Sequence, residues 1–461
     1  MSKHKQKKQF YLLSLGCSKN TVDSESMASL LLKSGFQGTA DPDDASVLIV
    51  NTCGFIESAR QESIEALQEL AELKGKNQLL IAAGCMAQRY GGEVVEWVPG
   101  VDGVIGTRRW MDIVPFIRKL RRQKHPEPLY HLPDEATTVG KDERGVLRTA
   151  VQGRSAYLKI ADGCRRPCAF CAIPQIKGTH VSRPMNAIVT EAVRLQEAGI
   201  QELIIIAQDS TDYGHDLGLK NGTSQLLKEI SKAAPDIPWI RLMYAYPGYV
   251  TDELIETMAT TPQIVNYLDI PLQHGHRETL KRMRRPANIE WVYKTVEKLR
   301  TAMPDIAIRT TFIVGYPGET DEEFDGLKQF VRELQFDRMG AFTYSYEAST
   351  PSATVSWQVE EAVKQARQAE LMELQQAISL AKNQAQVGKM LPVLIEGYGD
   401  NLSIGRTYRD APEIDGLVII PGELPLGEMV PIRIDGAMTY DLSGSPALEP
   451  NQTISLPLVR H

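Results

Sequence analysis

An α/β chain in three parts is predicted: an N-terminal doubly wound α/β domain over 9–120, a central partial (β/α)6 barrel over 150–380, and a small antiparallel β-barrel over 384–454, with a linker at 121–149. Three observations carry that expectation. Short apolar runs alternate with segments of three- and four-residue apolar spacing, the pattern of parallel strands joined by helices. The stretch RKLRRQKHPEPLYHLPDEATTVGKDERG interrupts it with charge and proline and reads as a linker. Towards the C-terminus the runs MLPVLIEG, GLVII and EMVPIRI are separated by Gly, Pro and Asp, as in a small barrel.

Taken in order, YLLSLGC, ASVLIVNTC and QLLIAAGC each read as a strand, a tight turn and a cysteine, with helices near 20–33 and 57–73 between them. From 151 the strands are YLKIA, ELIIIA, WIRLMY, YLDIPL, IAIRTTFIV and MGAFTYSY. Helices are predicted near 186–198, 223–233, 276–284, 289–302 and 320–334. Six such repeats make most of a barrel and fall short of a closed eight.

Composition bounds the function. The 461 residues suffice for about three domains. A net charge of −7 argues against a general nucleic-acid binder. The Lys-rich start MSKHKQKKQF has no apolar signal region, and no apolar run approaches a membrane span, so a cytoplasmic location is expected. Six cysteines without a small disulfide-rich stretch fit a reducing compartment.

Cys164, Cys168 and Cys171 form a C-x3-C-x2-C triplet on one loop, directly after the first barrel strand. Three thiolates hold three irons of a four-iron cluster and leave the fourth open to bind a molecule. Zinc and buried structural cysteines are the alternatives. Zinc motifs usually add a second cysteine or histidine pair, and none follows. Cys17, Cys53 and Cys85 each end a strand of the first domain. Strand ends converge on one crevice in a doubly wound sheet, so these three are expected to meet. Two sets of three thiolates imply two [4Fe–4S] clusters.

The triplet GCRRPCAFC, the upstream NTCGF, and the stretch 388–454 together resemble the radical S-adenosylmethionine methylthiotransferase family across nearly the whole chain. The C-terminal part resembles its TRAM domain, an OB-like barrel. IADGC, CAIPQIKGTHVSRP, AQDSTDYG, YLDIPLQHG, KRMRRP and GRTYRDAPEIDG resemble the branch acting on an aspartate of ribosomal protein S12. The sister branch, acting on transfer-RNA adenosine, usually has GQN-like and QSGS stretches where this chain has AQDS and QHGH. The resemblance implies that Cys164, Cys168 and Cys171 hold the cluster that cleaves S-adenosylmethionine. Cys17, Cys53 and Cys85 then hold a sulfur-delivering cluster. It also implies cofactor contacts from Phe170, Gln208, Gln273, Arg309 and Gly315, with Asp209 and His274 beside them. It names no catalytic acid or base. The implied partners are S12, an electron donor such as flavodoxin or ferredoxin, and an unidentified sulfur donor. A non-catalytic iron–sulfur carrier is the rival of a different class, but it would need a fourth cysteine per cluster. From Lys389 onward five basic residues face ten acidic ones, a balance of −5. That balance suggests an acidic docking face for a basic protein, with Asp410, Glu413 and Asp415 at its centre.

Overall fold

The computed structural model describes residues 8–123, 127–133 and 143–447. The first sheet is built from β1 (Gln9–Ser14), β2 (Gln37–Gly38), β3 (Val47–Thr52), β4 (Leu79–Gly84), β5 (Gly103–Gly106) and β6 (Leu129–His131). Its order is β2-β1-β3-β4-β5-β6, parallel throughout. The helices are α1 (Ser18–Lys33), α2 (Glu57–Leu73), α3 (Cys85–Tyr90), α4 (Glu93–Trp97) and α5 (Ile113–Leu120). Every residue of β3 is buried, because helices cover both faces, and VLIVNT is accordingly apolar almost without alternation. Separate apolar clusters lie on the two faces, one around Ile49, Trp110 and Phe116 and one around Leu48, Leu67 and Val104.

The sheet continues past the expected boundary at 120. Leu129–His131 pairs with β5 as an edge strand inside the stretch read as a linker. Arg148, from the same stretch, is fully buried among carboxylates. Its charge and proline content misled because ion pairs fix this segment together with a few scattered apolar contacts, Leu129, Leu132 and Val146. Residues 124–126 and 134–142 of the expected linker lie outside the described residues.

The second sheet runs β15-β14-β13-β12-β11-β8-β7. Its strands are β7 (Thr149–Gln152), β8 (Ser155–Lys159), β11 (Glu202–Ile206), β12 (Trp239–Leu242), β13 (Ile264–Asp269), β14 (Ala307–Val314) and β15 (Arg338–Thr343). Six strands are parallel, and β7 is an antiparallel edge. A two-stranded ribbon, β9 (Ala161–Asp162) with β10 (Val181–Ser182), flanks the cysteine loop and the short α6 (Ile173–Lys177). Around the sheet lie α7 (Met185–Glu197), α8 (Gly222–Ala233), α9 (Asp252–Thr260), α10 (Arg277–Arg282), α11 (Ile289–Ala302), α12 (Asp321–Leu334) and α13 (Glu361–Gln384). The six-repeat open barrel is thus as expected. α12 is opened by a capping box between Thr320 and Glu323, which satisfies two otherwise unpaired amides. The sequence reading missed α9 and α13.

The last part is a closed five-stranded barrel ordered β16-β17-β18-β20-β19. It comprises β16 (Met390–Gly399), β17 (Leu402–Arg406), β18 (Val418–Pro421), β19 (Met429–Ala437) and β20 (Leu442–Pro446). The connection from β17 to β18 packs against the open barrel. Arg406 reaches Glu202 of β11 at 2.6 Å and Glu396 at 2.6 Å. Arg338 donates to Asp410 at 3.0 Å, Arg409 pairs with Asp337 at 2.7 Å, and Tyr267 donates to Asp415 at 2.7 Å. This corrects the expected docking face: Asp410 and the Asp415 carboxylate are buried against basic and phenolic groups of the central sheet, and only Glu413 of the three is exposed.

Candidate active site between two cysteine sets

All six cysteines are free thiols. Cys17 precedes α1, Cys53 follows β3, and Cys85 opens α3 directly after β4. They sit at the carboxyl ends of three adjacent parallel strands. Gly16, at φ 89°, permits the closest approach: a Cβ there would stand 2.9 Å from the Cys53 sulfur. Burial pushes the Cys85 thiol up to about 12, and the neighbouring Cys17 and Cys53 add to the rise while Lys177 opposes it. Burial likewise raises Cys53.

The second set lies on the loop between β9 and α6. Burial raises the Cys171 thiol to about 12, with Cys168 and Cys164 close enough to reinforce it, and raises Cys164 to about 11. Cys168 is nearest to donors: Arg285 Nη1 stands 3.3 Å from its sulfur and Tyr246 Oη 3.7 Å. The Arg166 amide donates to the Cys164 sulfur at 3.5 Å. The Arg166 and Arg285 guanidiniums each lie 4.5 Å from the Tyr246 ring centre. These donors were not read from the sequence. Arg285 lies far along the chain from the triplet, and only the fold joins the two.

The segments that carry the two sets pack together. Cys85 lies in one apolar cluster with Ala172, the residue after Cys171, and Ile176. On another side the strand end 244–246 bridges them: the Tyr246 hydroxyl reaches Cys168, and the Tyr244 ring meets Lys19, two residues after Cys17. A buried ionic knot fixes this docking. Asp23 of α1 accepts from Lys159 at 2.7 Å and Lys177 at 2.8 Å and also pairs with Arg148, while Asp162 pairs with Lys159 at 2.6 Å. Burial works against ionising Asp23, but the three cations overcome it and hold the carboxyl far below the usual range.

The expected cofactor contacts divide. Gln208 follows β11, and its side-chain oxygen is buried without a partner, as a group awaiting a ligand would be. Phe170 is half-buried against Leu280, Met283, Tyr316 and Tyr344. Gln273 sits at φ 72° and bridges to β14 through its backbone, donating to Thr311 and accepting from Ile313. Gly315 has a different neighbour from the one expected, since a Cβ there would strike Lys364 of α13 at 2.3 Å. Asp209 is paired with Arg166 at 2.6 Å. His274 is held inside the fold, accepting from the His276 amide at 2.9 Å. The Arg309 guanidinium pairs with Asp269 at 2.9 Å and Asp415 at 3.4 Å.

Among the described residues no three His, Cys, Asp or Glu side chains are placed to hold a single metal ion. A four-iron cluster is a wider object than one ion, and two sets of three unpaired thiols, with hydrogen-bond donors aimed at two of the sulfurs, fit that donor chemistry.

Three family models match in chain order: the uncharacterized protein family UPF0004 over residues 9–106, the Radical SAM superfamily over 158–331, and the TRAM domain over 387–446. Fold and matches together define a radical S-adenosylmethionine enzyme with a C-terminal TRAM barrel. Over 451 residues the chain is 49% identical to the ribosomal protein uS12 methylthiotransferase RimO of Chloroflexus aurantiacus, covering 95% of this chain and 99% of that one. It is 47% identical to the protein of the same name from a Thermoanaerobacter species, with 94% and 98% covered. The chain belongs to this RimO methylthiotransferase family. Among solved structures, the radical S-adenosylmethionine methyltransferase TsrM of Kitasatospora setae has the same fold at a TM-score of 0.55 and 16% identity, with 75% and 74% covered.

Proposed function

We propose that this protein transfers a methylthio group to the β-carbon of an aspartate on ribosomal protein uS12, using S-adenosylmethionine and two [4Fe–4S] clusters. The observation that carries the proposal is the meeting of the two cysteine-bearing segments, Cys85 packing against Ala172 and Ile176 just beyond Cys171. Cys164, Cys168 and Cys171 would hold the cluster that cleaves the cofactor, and Cys17, Cys53 and Cys85 the cluster that delivers sulfur. When bound, these groups supply the one-electron chemistry and the sulfur that an unactivated carbon demands.

The chain's own residues position and shield. Arg285 and the Arg166 amide donate toward sulfurs of one set, which stabilises negative charge there. The free oxygen of Gln208 and the half-buried face of Phe170 are offered to the cofactor, with Gln273 and Gly315 forming neighbouring loop backbone. Arg309, paired with Asp269 and Asp415, also ties the central sheet to the TRAM connection. We assign the first cysteine-bearing domain to 9–131, which takes in the edge strand β6, the second to 149–380, and the TRAM part to 384–454. A reductant such as flavodoxin or ferredoxin and an external sulfur source complete the reaction, which we place in the cytoplasm. Among the described residues no helix is long and apolar enough to cross a membrane.

The test is incubation of the anaerobically reconstituted protein with S-adenosylmethionine, a reductant, and either uS12 or transfer RNA. The expected outcome is a methylthio mass increment on a uS12 aspartate. An increment on transfer-RNA adenosine with uS12 unchanged would replace this proposal with the sister activity.

A further inference from the structure

Lys19 is a buried lysine whose charge has no carboxylate partner. It lies in the first turn of α1, two residues after Cys17, and is 8% exposed. Among the described residues its ammonium makes no ion pair and no hydrogen bond, and its one described contact is the Tyr244 ring, 2.9 Å from the ring centre. A lysine side chain buried to this extent normally pairs with an acid. Carboxylates on the surrounding segments are engaged elsewhere. Asp23, one turn along the same helix, is taken by Arg148, Lys159 and Lys177. Asp269, beneath Tyr244, is taken by Arg309 and by the Tyr244 amide at 3.1 Å. Glu413 across the gap accepts from Gln152 at 2.8 Å.

The platform under Lys19 is itself unusual. Tyr244 has φ 62°, a left-handed conformation that a bulky residue seldom takes. It is pinned there from both sides, by Asp269 on its amide and by the Ser210 amide on its carbonyl. Such strain persists only where the surrounding structure enforces it, and it tends to collect at ligand-binding positions. Here it places the ring against Lys19 instead of letting the strand run on.

Tyr244 borders a cavity of about 190 Å³, and so does Ser18, the residue before Lys19. Gly16, Cys17 and Ser18 line it from one domain, Tyr157, Ile204, Met243 and Tyr244 from the barrel, and Ala411 to Ile414 from the TRAM connection. The volume is below the usual range for a free small-molecule site, about 300–1,000 Å³. It suits a single side chain inserted from a macromolecule. Cys17, Glu413 and Ile414 at its rim are exposed, so it opens outward. It lies between the Cys17 set and the 244–246 strand end whose Tyr246 meets Cys168.

We infer that Lys19, held over the Tyr244 ring, is the counter-ion for the carboxylate of the target aspartate and sets its β-carbon between the two cysteine sets. The inference rests on the proposed uS12 aspartate substrate and adds to it the group that recognises the carboxylate. The acid Lys19 lacks is the one the substrate brings. A charge-assisted contact there would favour an aspartate over the isosteric asparagine. Tyr244 acts through Lys19 and is a positioning residue.

The experiment measures equilibrium binding of the anaerobically reconstituted full chain to uS12 and to uS12 with its target Asp replaced by Asn. For the parent, the inference expects the Asp form to bind about tenfold tighter or more. Lys19→Met, with iron content equal to the parent's, should bind both forms alike, and Lys19→Arg should recover part of the preference. Lys19→Met retaining the full preference overturns the inference. So does a parent that binds both forms equally, a result that stands even where the Met variant fails to load iron. A parent that neither binds nor modifies uS12 overturns the substrate proposal itself, and the inference falls with it.

Discussion

Glu202 shows how single residues hold the domains together. Its carboxylate, fully buried, lies between Arg241 at 2.7 Å on the neighbouring strand and Arg406 at 2.6 Å from the TRAM barrel. Burial raises its pKa, but Arg406 and Arg241 outweigh burial and set it at about 2. A carboxyl depressed in the fold stabilises it above the unfolded value of about 4.3, and that contribution is lost as pH falls towards 2. Removing one partner of a buried pair leaves the other charge unsolvated, so Glu202→Gln should cost about 3–5 kcal/mol near pH 7. Urea unfolding at successive pH values checks this: the gap between parent and variant should narrow below about pH 4. An equal gap at pH 7 and pH 3 would show that the ion pair is not its cause. The cysteines give a second prediction at this scale. Cys168→Ala should abolish cleavage of S-adenosylmethionine to deoxyadenosine. Cys53→Ala should retain some cleavage and lose methylthio transfer. Product analysis by chromatography and mass spectrometry separates the two, and full transfer by Cys53→Ala would refute the division of roles.

Among elements, the connection from β17 to β18 most changes the reading. Its sequence, RTYRDAPEID, resembles a charged surface loop, and the balance of −5 in this part encouraged that expectation. Net charge does not say which carboxylates have partners, and the partners Arg338, Arg309 and Tyr267 lie far back in the chain. Replacing Asp410 by Lys should therefore detach the TRAM barrel from the central sheet, because it buries a cation against Arg338. Limited proteolysis should then cut near 385–389 at least several-fold faster than in the parent. Glu413→Lys, at an exposed position, should leave the cleavage rate unchanged. Detachment by both, or by neither, would contradict the described interface. Short apolar strands and the helices at 57–73 and 289–302 were legible because their periodicity is local. The missed α13 carries alternating charges and little apolar stripe. Its buried Lys364, Arg367, Gln375 and Asn383 pack through polar contacts that no apolar period reveals.

At the scale of the whole molecule, the cysteine arithmetic was legible and the apposition was not. Spacing alone marks Cys164, Cys168 and Cys171 as one loop. The strand-end rule brings Cys17, Cys53 and Cys85 together, since parallel strands deliver their carboxyl ends to one edge. How the two sets meet depends on side chains scattered across 150 residues, among them Asp23, Lys159, Lys177 and Arg148, and no local pattern encodes that knot. The carboxylate partners of Arg309, Asp269 and Asp415, were illegible for the same reason. A buried arginine announces a partner but not which one. The central claim is that one chain presents two separate three-thiolate sites side by side, and the count of bound iron tests it most directly. Anaerobically reconstituted parent should carry about eight irons per chain, and each triple Cys→Ala variant, at 17/53/85 or at 164/168/171, about four. A parent holding about four, a triple variant with an undiminished count, or zinc in place of iron would contradict it.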